Sequence, residues 1–528
     1  MVVNLNSLKY CPKYYIASVK PIRYHNRTMK AMKIMNKKSI MIVTPPLTSP
    51  AMPSFTGAFA AGCFSPEDFN VVIYDANLDF FTNHVFSKRV LEIGFKAFVQ
   101  NKKKSLISNK DFRVLEKVLQ SLSFQPFSTE YFRSESFYDP EKYLVARNRI
   151  DDLLFLYSAG FYPSRIRWNF LSGSIVDDNN NPLFISFYYE KFGLMLKQAL
   201  PETVIIALDS ESQISPSNTM IKYIKTNFPE IQTIVLQEKY HAGNNTPDPG
   251  QIFSLQNQSL FLKWINTTWK CDNGYSNIEP DFSMFPLKEY LAPELILPIQ
   301  ADFFKDSLSL GDFVAKLNDK FGAKGFFFNN LLFSFEIFLK IKNPAEFFFG
   351  IQTDMEDYEK MSDNNKNQNI FSSGTTLVQW KNPGKKDPYN IKDLWDISKQ
   401  GIWNHVELTG TTGSEDKKDW LRFISLNPNI AHSYENSAGP GPYGKSNLNG
   451  MDHSLKAYSG VKKLVGQPFW NFLSDPVHLL LYLKHHGKKN LFCLRADKIN
   501  ETIISLGSDI NFYYRKPDDL PPGFLDEI

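Results

Sequence analysis

The sequence predicts an α/β protein: a Rossmann-like parallel-sheet domain, then a partial or complete β/α barrel, then a small helical C-terminal region. Short runs such as SIMIVT, TVIIALD, QTIVLQ, GFFFN and EFFFGIQ alternate with longer helical patterns. These runs are apolar throughout rather than at every second position, as in strands buried on both faces. A stretch rich in Gly, Asn, Pro and Gln, HAGNNTPDPGQIFSLQNQ, separates one series from the next, as a boundary between domains does.

Taken in order, the first strand is SIMIVT at 39–44, ended by Pro45 and Pro46 and a Pro/Ser/Thr loop to Ser54. The small-residue run FTGAFAAGCF predicts a helix, and NVVIYD a strand ending at Asp75. Helical patterns cover 85–120 and 140–160, and FISFYYEKFGLMLKQAL leads into the strand TVIIALD at 203–209. A helix starting at Pro216 and stopping at Asn227 precedes the strand QTIVLQ. Alternation resumes with ELILPIQ, a helix at 311–321, GFFFN, a helix from Leu331, EFFFGIQ, GTTLVQW, a helix at 390–400 and IWNHVELTG. These are about five strand–helix repeats, the order of a barrel. A polar stretch at 361–369 reads as a loop inside it, and DPVHLLLYLKHHGKK as a closing helix. The expected divisions are a basic, disordered arm at 1–38, an α/β domain at 39–240, a linker at 241–280, a barrel-like domain at 281–436 and a C-terminal region at 437–528.

Composition narrows the function. With 43% hydrophobic and 15% aromatic residues among 528, the chain has ample core. A net charge of +4, from 59 basic and 55 acidic residues, gives no reason to expect a nucleic-acid partner. The first 38 residues hold nine Lys or Arg and no acid, which reads as a poorly ordered tail, with Met29, Met32 and Met35 suggesting an over-extended start. No apolar run is long enough to span a membrane and no secretory leader is evident, so a cytoplasmic protein is expected. Cys11, Cys63, Cys271 and Cys493 lie far apart without zinc-like spacing. They are expected to be reduced, structural thiols.

Several segments, in this order, resemble the cobalamin-binding-domain radical S-adenosylmethionine enzymes that modify ribosomal peptide natural products. IVTPPLTSPAMPSFTGAFAAGCF with VVIYDANLDF is similar to the family's first cobalamin-domain strand, Pro-rich loop, helix and acid-ended strand. FYDPEKYLVARNRIDDLLFLYSAGFYPSRI is similar to its connecting helices, LDSESQISPSNTMIKYIKTNFPEIQTIVL to its second half, and GIWNHVELTGTTGSEDKKDWLRFI to a late barrel strand and helix. The resemblance implies a cobalamin-like cleft lined by Pro45, Pro46, Ser54 and Asp75, with Ser210 and Ser212 at the edge of the later strand.

The departures bear on chemistry. In the family a CxxxCxxC loop after the first barrel strand holds an iron–sulfur cluster through three thiolates. The corresponding stretch here is ADFFKDSLSL, without cysteine, so no iron–sulfur cluster and no radical cleavage of S-adenosylmethionine are expected. Where the family often has a Gly-Gly turn that lets backbone approach cobalamin, this chain has Leu236-Gln237-Glu238-Lys239-Tyr240. Cobalamin is therefore left open: the domain favours it and the missing glycines oppose it.

Other motifs carry less. GPGPYGKS, Gly439 to Ser446, fits the letters of a phosphate-binding loop with Lys445 at the phosphates. Pro440 and Pro442 remove N–H donors, and HSYENSA before it is a poor buried strand. An ordinary connector is the better reading. His478, His485 and His486 share one helix face two turns apart, which suits a surface face better than a metal site. Trp403, His405 and Glu407 alternate toward one side and, with Asp302, outline a barrel pocket, although a hydrogen-bonded core histidine is the commoner outcome. No metal ligands are expected. The expectation is a pseudoenzyme: a binding, scaffold or partner subunit whose partner is a precursor peptide or an intact radical enzyme. The alternative is a cobalamin-dependent transferase that works without a cluster.

Overall fold

The structure, a computed structural model, describes residues 37–87, 129–159, 165–167, 170–172, 182–238, 251–269, 278–300, 303–304, 307–329, 347–353, 375–380, 403–409, 430–435 and 475–487, with single positions between 90 and 99 and between 490 and 494. The protein is α/β with two all-parallel sheets and a small antiparallel pair. The chain divides into two compact units, one of residues 1–130 and 149–291, the other of 131–148 and 292–528.

In the first unit, β1 (Lys38–Thr44) leads through the Pro-rich loop to α1 (Phe55–Gly62), whose N-cap Ser54 accepts the Gly57 N–H. β2 (Phe69–Asp75) runs directly into the short α2 (Ala76–Asp79), and Asp75 caps it by accepting from the Leu78 N–H at 2.8 Å. A turn of π-helix, Phe80–His84, follows. After α3 (Pro140–Ala159) comes an antiparallel ribbon, β3 (Arg165–Arg167) with β4 (Phe170–Ser172). A helical run consists of α4 (Pro182–Phe187), a π-turn at Tyr188–Phe192 and α5 (Gly193–Ala199). Then follow β5 (Thr203–Leu208), α6 (Ile214–Asn227), β6 (Gln232–Gln237), β7 (Gln251–Ser254) and α7 (Gln258–Trp269). The sheet order is β2-β1-β5-β6-β7, all parallel. Counting only these five strands, that is the 2-1-3-4-5 order of doubly wound sheets, compatible with a Rossmann-like arrangement. Every side chain of β5 is buried, because helices cover both faces. Tyr74 of β2 stacks on Phe192 on one side, while Phe253 of β7 meets Phe261 of α7, which also meets Phe59 of α1, on the other.

The linker expected at 241–280 is corrected here. Residues 251–269 form β7 and α7 of this first unit, which runs on to Leu291. The segment 278–282 presses on α1: the Asp281 N–H donates to the Ala58 carbonyl, and a Cβ on Gly62 would lie 2.0 Å from the Glu279 carbonyl oxygen. Only glycine permits that approach. Gly62→Ala is expected to cost about 1–3 kcal/mol in urea denaturation, since backbone rather than a flexible side chain must move.

The second unit takes residues 131–148, including the first part of α3, rather than leaving them with the first domain. Their partner is α9 (Pro476–His486), capped by Asp475 through the Val477 N–H. Tyr143 Oη lies 3.0 Å from His478 Nδ1, Tyr482 donates to the Phe137 carbonyl, and Glu294 binds both Tyr138 and Lys484. His478 is wholly buried between aromatic rings while His485 is exposed, so the expected single surface histidine face is corrected for His478.

The sheet of this unit comprises β8 (Ile296–Gln300), β9 (Gly325–Asn329), β10 (Phe348–Thr353), β11 (Thr375–Trp380), β12 (Trp403–Thr409) and β13 (Ile430–Glu435), with α8 (Ser307–Phe321) after β8. The strands lie side by side in sequence order and all parallel. β13 is an addition to the expected five: it contains the HSYE that had read as a poor strand, because its polar residues hid the pairing with β12. Among the described residues no pairing joins β13 to β8. The arm at 1–36, the loop at 361–369, the helices expected from Leu331 and at 390–400, and the motif Gly439 to Ser446 lie outside the described residues.

Candidate functional site

The chain leaves β1 toward β2 on one side and returns to β5 on the other, so the first sheet has its topological switch point between β1 and β5. In open α/β sheets ligands bind outside the carboxyl ends of strands at such a point. The residues expected to line a cofactor cleft do converge here. Pro45, Pro46 and Leu47 leave β1 buried, Asp75 ends β2, Ser210 and Ser212 follow β5, and Ser54 starts α1.

Their hydrogen bonds are turned inward. Ser210 and Ser212 bond each other at 2.7 Å, and Ser212 donates to the Leu47 carbonyl. Gln213 binds the same loop, giving its Nε2–H to the Pro45 carbonyl at 2.7 Å and accepting from the Asp209 and Ser210 N–H groups. From the other side Asn77 Oδ1 accepts the Leu47 and Thr48 N–H groups. Leu47 is held at φ 81°, a left-handed conformation that a leucine adopts only when its surroundings impose it. The Pro-rich loop is thus clamped over the switch point.

Two carboxyls share this edge. Asp75 is 2% exposed and accepts from Tyr290 Oη at 2.5 Å, besides capping α2. Asp209 is partly exposed, accepts the Thr56 N–H at 3.0 Å and bonds the Ser54 hydroxyl, so it anchors the start of α1. Removal from water pushes each carboxyl up to about 6, against the hydrogen bonds that pull down. Asp209 and Asp79 also repel the charge on Asp75, and Glu238 that on Asp209. The edge can therefore hold or release protons just below neutral pH. At the end of β6, Gln237 and Glu238 are buried, and the Glu238 N–H and carbonyl bond Leu208 and Ser254. Two polar atoms nearby, Thr44 Oγ1 and Gln237 Nε2, have no hydrogen-bond partner among the described residues. The register puts them on opposite faces of the sheet, so they make no common site.

Asp209, Asn77, Gln213 and Tyr290 escaped sequence reading. Asp209 had a usable signal: TVIIALD ends in aspartate just as NVVIYD does. The others belong to loops whose partners are remote in sequence. In the second unit Trp403 and His405 are buried with the same facing on β12. Glu407 continues that alternation in the backbone, its side chain being outside the description, as is Asp302 altogether. Among the described residues no three of His, Cys, Asp and Glu are grouped to hold a metal ion, and no helix is long and apolar enough to cross a membrane. No protein-family model matches the chain, and no curated protein or solved structure matches it either.

Proposed function

We propose that this protein is a binding subunit: a radical S-adenosylmethionine-like pseudoenzyme that holds a precursor peptide or a catalytic partner during peptide modification. The observation that carries the reading is the connection between β8 and α8. It is only ADFFKD, without a cysteine, where the resembling enzymes place their cluster loop. Phe303 and Phe304 pack edge to face at 5.1 Å, and Phe304 leans on Phe313 of α8 at 5.0 Å. Aromatic packing occupies the strand end, and the connection itself offers no thiolate to iron. The succession of a doubly wound sheet and six sequential parallel strands, taken as a partial β/α barrel, supports the same ancestry.

The clamped loop over the switch point supports a fold kept for shape rather than for an open cofactor cleft. The test is anaerobic reconstitution with iron and sulfide. The expected result is no stoichiometric iron and no 5′-deoxyadenosine from S-adenosylmethionine; either product at stoichiometric yield would sink the reading. A second reading, a cluster-independent cobalamin transferase, rests on the 2-1-3-4-5 strand order. A cobalamin absorption spectrum that survives gel filtration would favour it.

A further inference from the structure

The register of the second sheet aligns one row of polar side chains across five neighbouring strands. Gln300 of β8 pairs with Asn329 of β9, Asn329 with Gln352 of β10, Gln352 with Gln379 of β11, and Gln379 with His405 of β12. Residues in register on parallel strands point to the same face, so these five side chains form a continuous row. Two residues earlier on each strand the same face carries Pro298, Phe327, Gly350, Leu377 and Trp403. That layer is an apolar floor. It is packed at Gly350, where a Cβ would meet the Phe327 ring at 2.6 Å and Leu480 of α9 at 3.3 Å.

The polar row therefore stands on the carboxyl-terminal side of a packed floor, the side on which parallel α/β sheets bind ligands. Its middle is reachable: Asn329 and Gln352 are partly exposed, while Gln300, Gln379 and His405 at the flanks are buried. The flank at Gln300 carries a second sign. Its side chain is 3% exposed, yet its Oε1 accepts no hydrogen bond among the described residues. A buried acceptor left without a donor is costly, and folded proteins seldom keep one without a use.

We infer that this row is a binding site for an uncharged, amide-bearing ligand, an extended peptide segment without charged side chains. The four carboxamides each offer an oxygen acceptor and two N–H donors, and a neutral imidazole offers one of each. A peptide group presents the complementary donor and acceptor. The row itself contains no Lys, Arg, Asp or Glu, so a charged side chain laid on it would give up water for amides and an imidazole alone. The row spans four strand spacings of about 4.8 Å, about 19 Å in all, of which Asn329 and Gln352 are the part open to solvent. The choice of a peptide rests on the binding reading above; the position of the site and its neutrality do not.

The test uses the full chain and fluorescent, acetylated and amidated hexapeptides of alternating glycine and asparagine, with aspartate and lysine versions as controls. Fluorescence anisotropy is expected to show saturable binding of the neutral peptide and at least about tenfold weaker binding of both charged ones. Gln300→Leu and, at a partly exposed position, Gln352→Leu are each expected to weaken neutral binding by about tenfold. Gln300→Leu is also expected to raise the Tm of the unliganded protein by about 2–4 °C, because it removes the buried unbonded oxygen. Binding that ignores both substitutions or peptide charge overturns the inference and leaves the binding-subunit reading standing. Absence of binding by all three peptides up to about 10 mM, weaker than any functional affinity, overturns the inference and counts against a peptide partner. A lowered Tm in Gln300→Leu with unchanged peptide affinity assigns that side chain to packing and likewise overturns it.

Discussion

Asp75→Asn is expected to stabilise the protein at pH 7 by about 3 kcal/mol and to flatten part of its stability profile between pH 4 and 6. The Asp75 carboxyl is raised from 3.8 to about 6 in the folded chain by burial. Between those values the native state binds more protons than the unfolded state, so stability falls as pH rises through the window. Above pH 6 the loss is complete, and about two pKa units correspond to about 3 kcal/mol. Asparagine stands in for the protonated form. Its oxygen can still accept the Leu78 N–H, as the best N-caps do, and the Tyr290 hydroxyl can turn from donating to accepting. Asp209 has the same direction of shift, so the single variant should retain a slope from that residue. The measurement is urea denaturation at pH 4, 5, 6 and 7 for both proteins. Parallel profiles would show that the buried carboxyl carries no such penalty.

Trp380→Ala is expected to lower stability by about 3–5 kcal/mol, the usual range for emptying a buried indole site. Trp380 is wholly buried in β11, and its Nε1–H donates to Asn404 Oδ1 of β12 at 2.7 Å. Trp380→Phe separates the two contributions. It keeps most of the apolar volume but removes that donor from an amide that is itself 0% exposed, at a cost of about 1–3 kcal/mol. Pairing Trp380→Phe with Asn404→Leu in a double-mutant cycle should show a coupling of about 1 kcal/mol. Additive losses would mean that the contact is incidental to packing.

These two sites also show how far the sequence could be read. NVVIYD and GTTLVQW announce strands ending in Asp75 and Trp380, and the structure ends both strands there. What the letters lack is the partner: Tyr290 is 215 residues from Asp75. Likewise QIFS after Asn-, Pro- and Gly-rich residues read as linker, because a four-residue strand has too little periodicity to stand out from its loop. β13 was missed for a related reason: IAHSYE is too polar to stand out as a strand by its letters, and its pairing with β12 is what makes it one.

The candidate sites divide in the same way. Ser54, Asp75, Ser210 and Ser212 could be assigned to strand ends from local pattern, since strand and helix starts are governed by nearby residues. The bonds of Ser54 to Gly57 and of Ser210 to Ser212 are local too, but those of Asp75 to Tyr290 and of Ser212 to Leu47 depend on how remote segments meet. The polar row is the stronger case. Gln300, Asn329, Gln352, Gln379 and His405 share no motif and lie at unequal intervals along the chain. By itself the sequence determined the alternation of buried strands and helices, the charge balance and the lack of cysteine after β8. Only the tertiary structure decided strand order and register, because a one-residue slip would turn each of those five side chains to the opposite face.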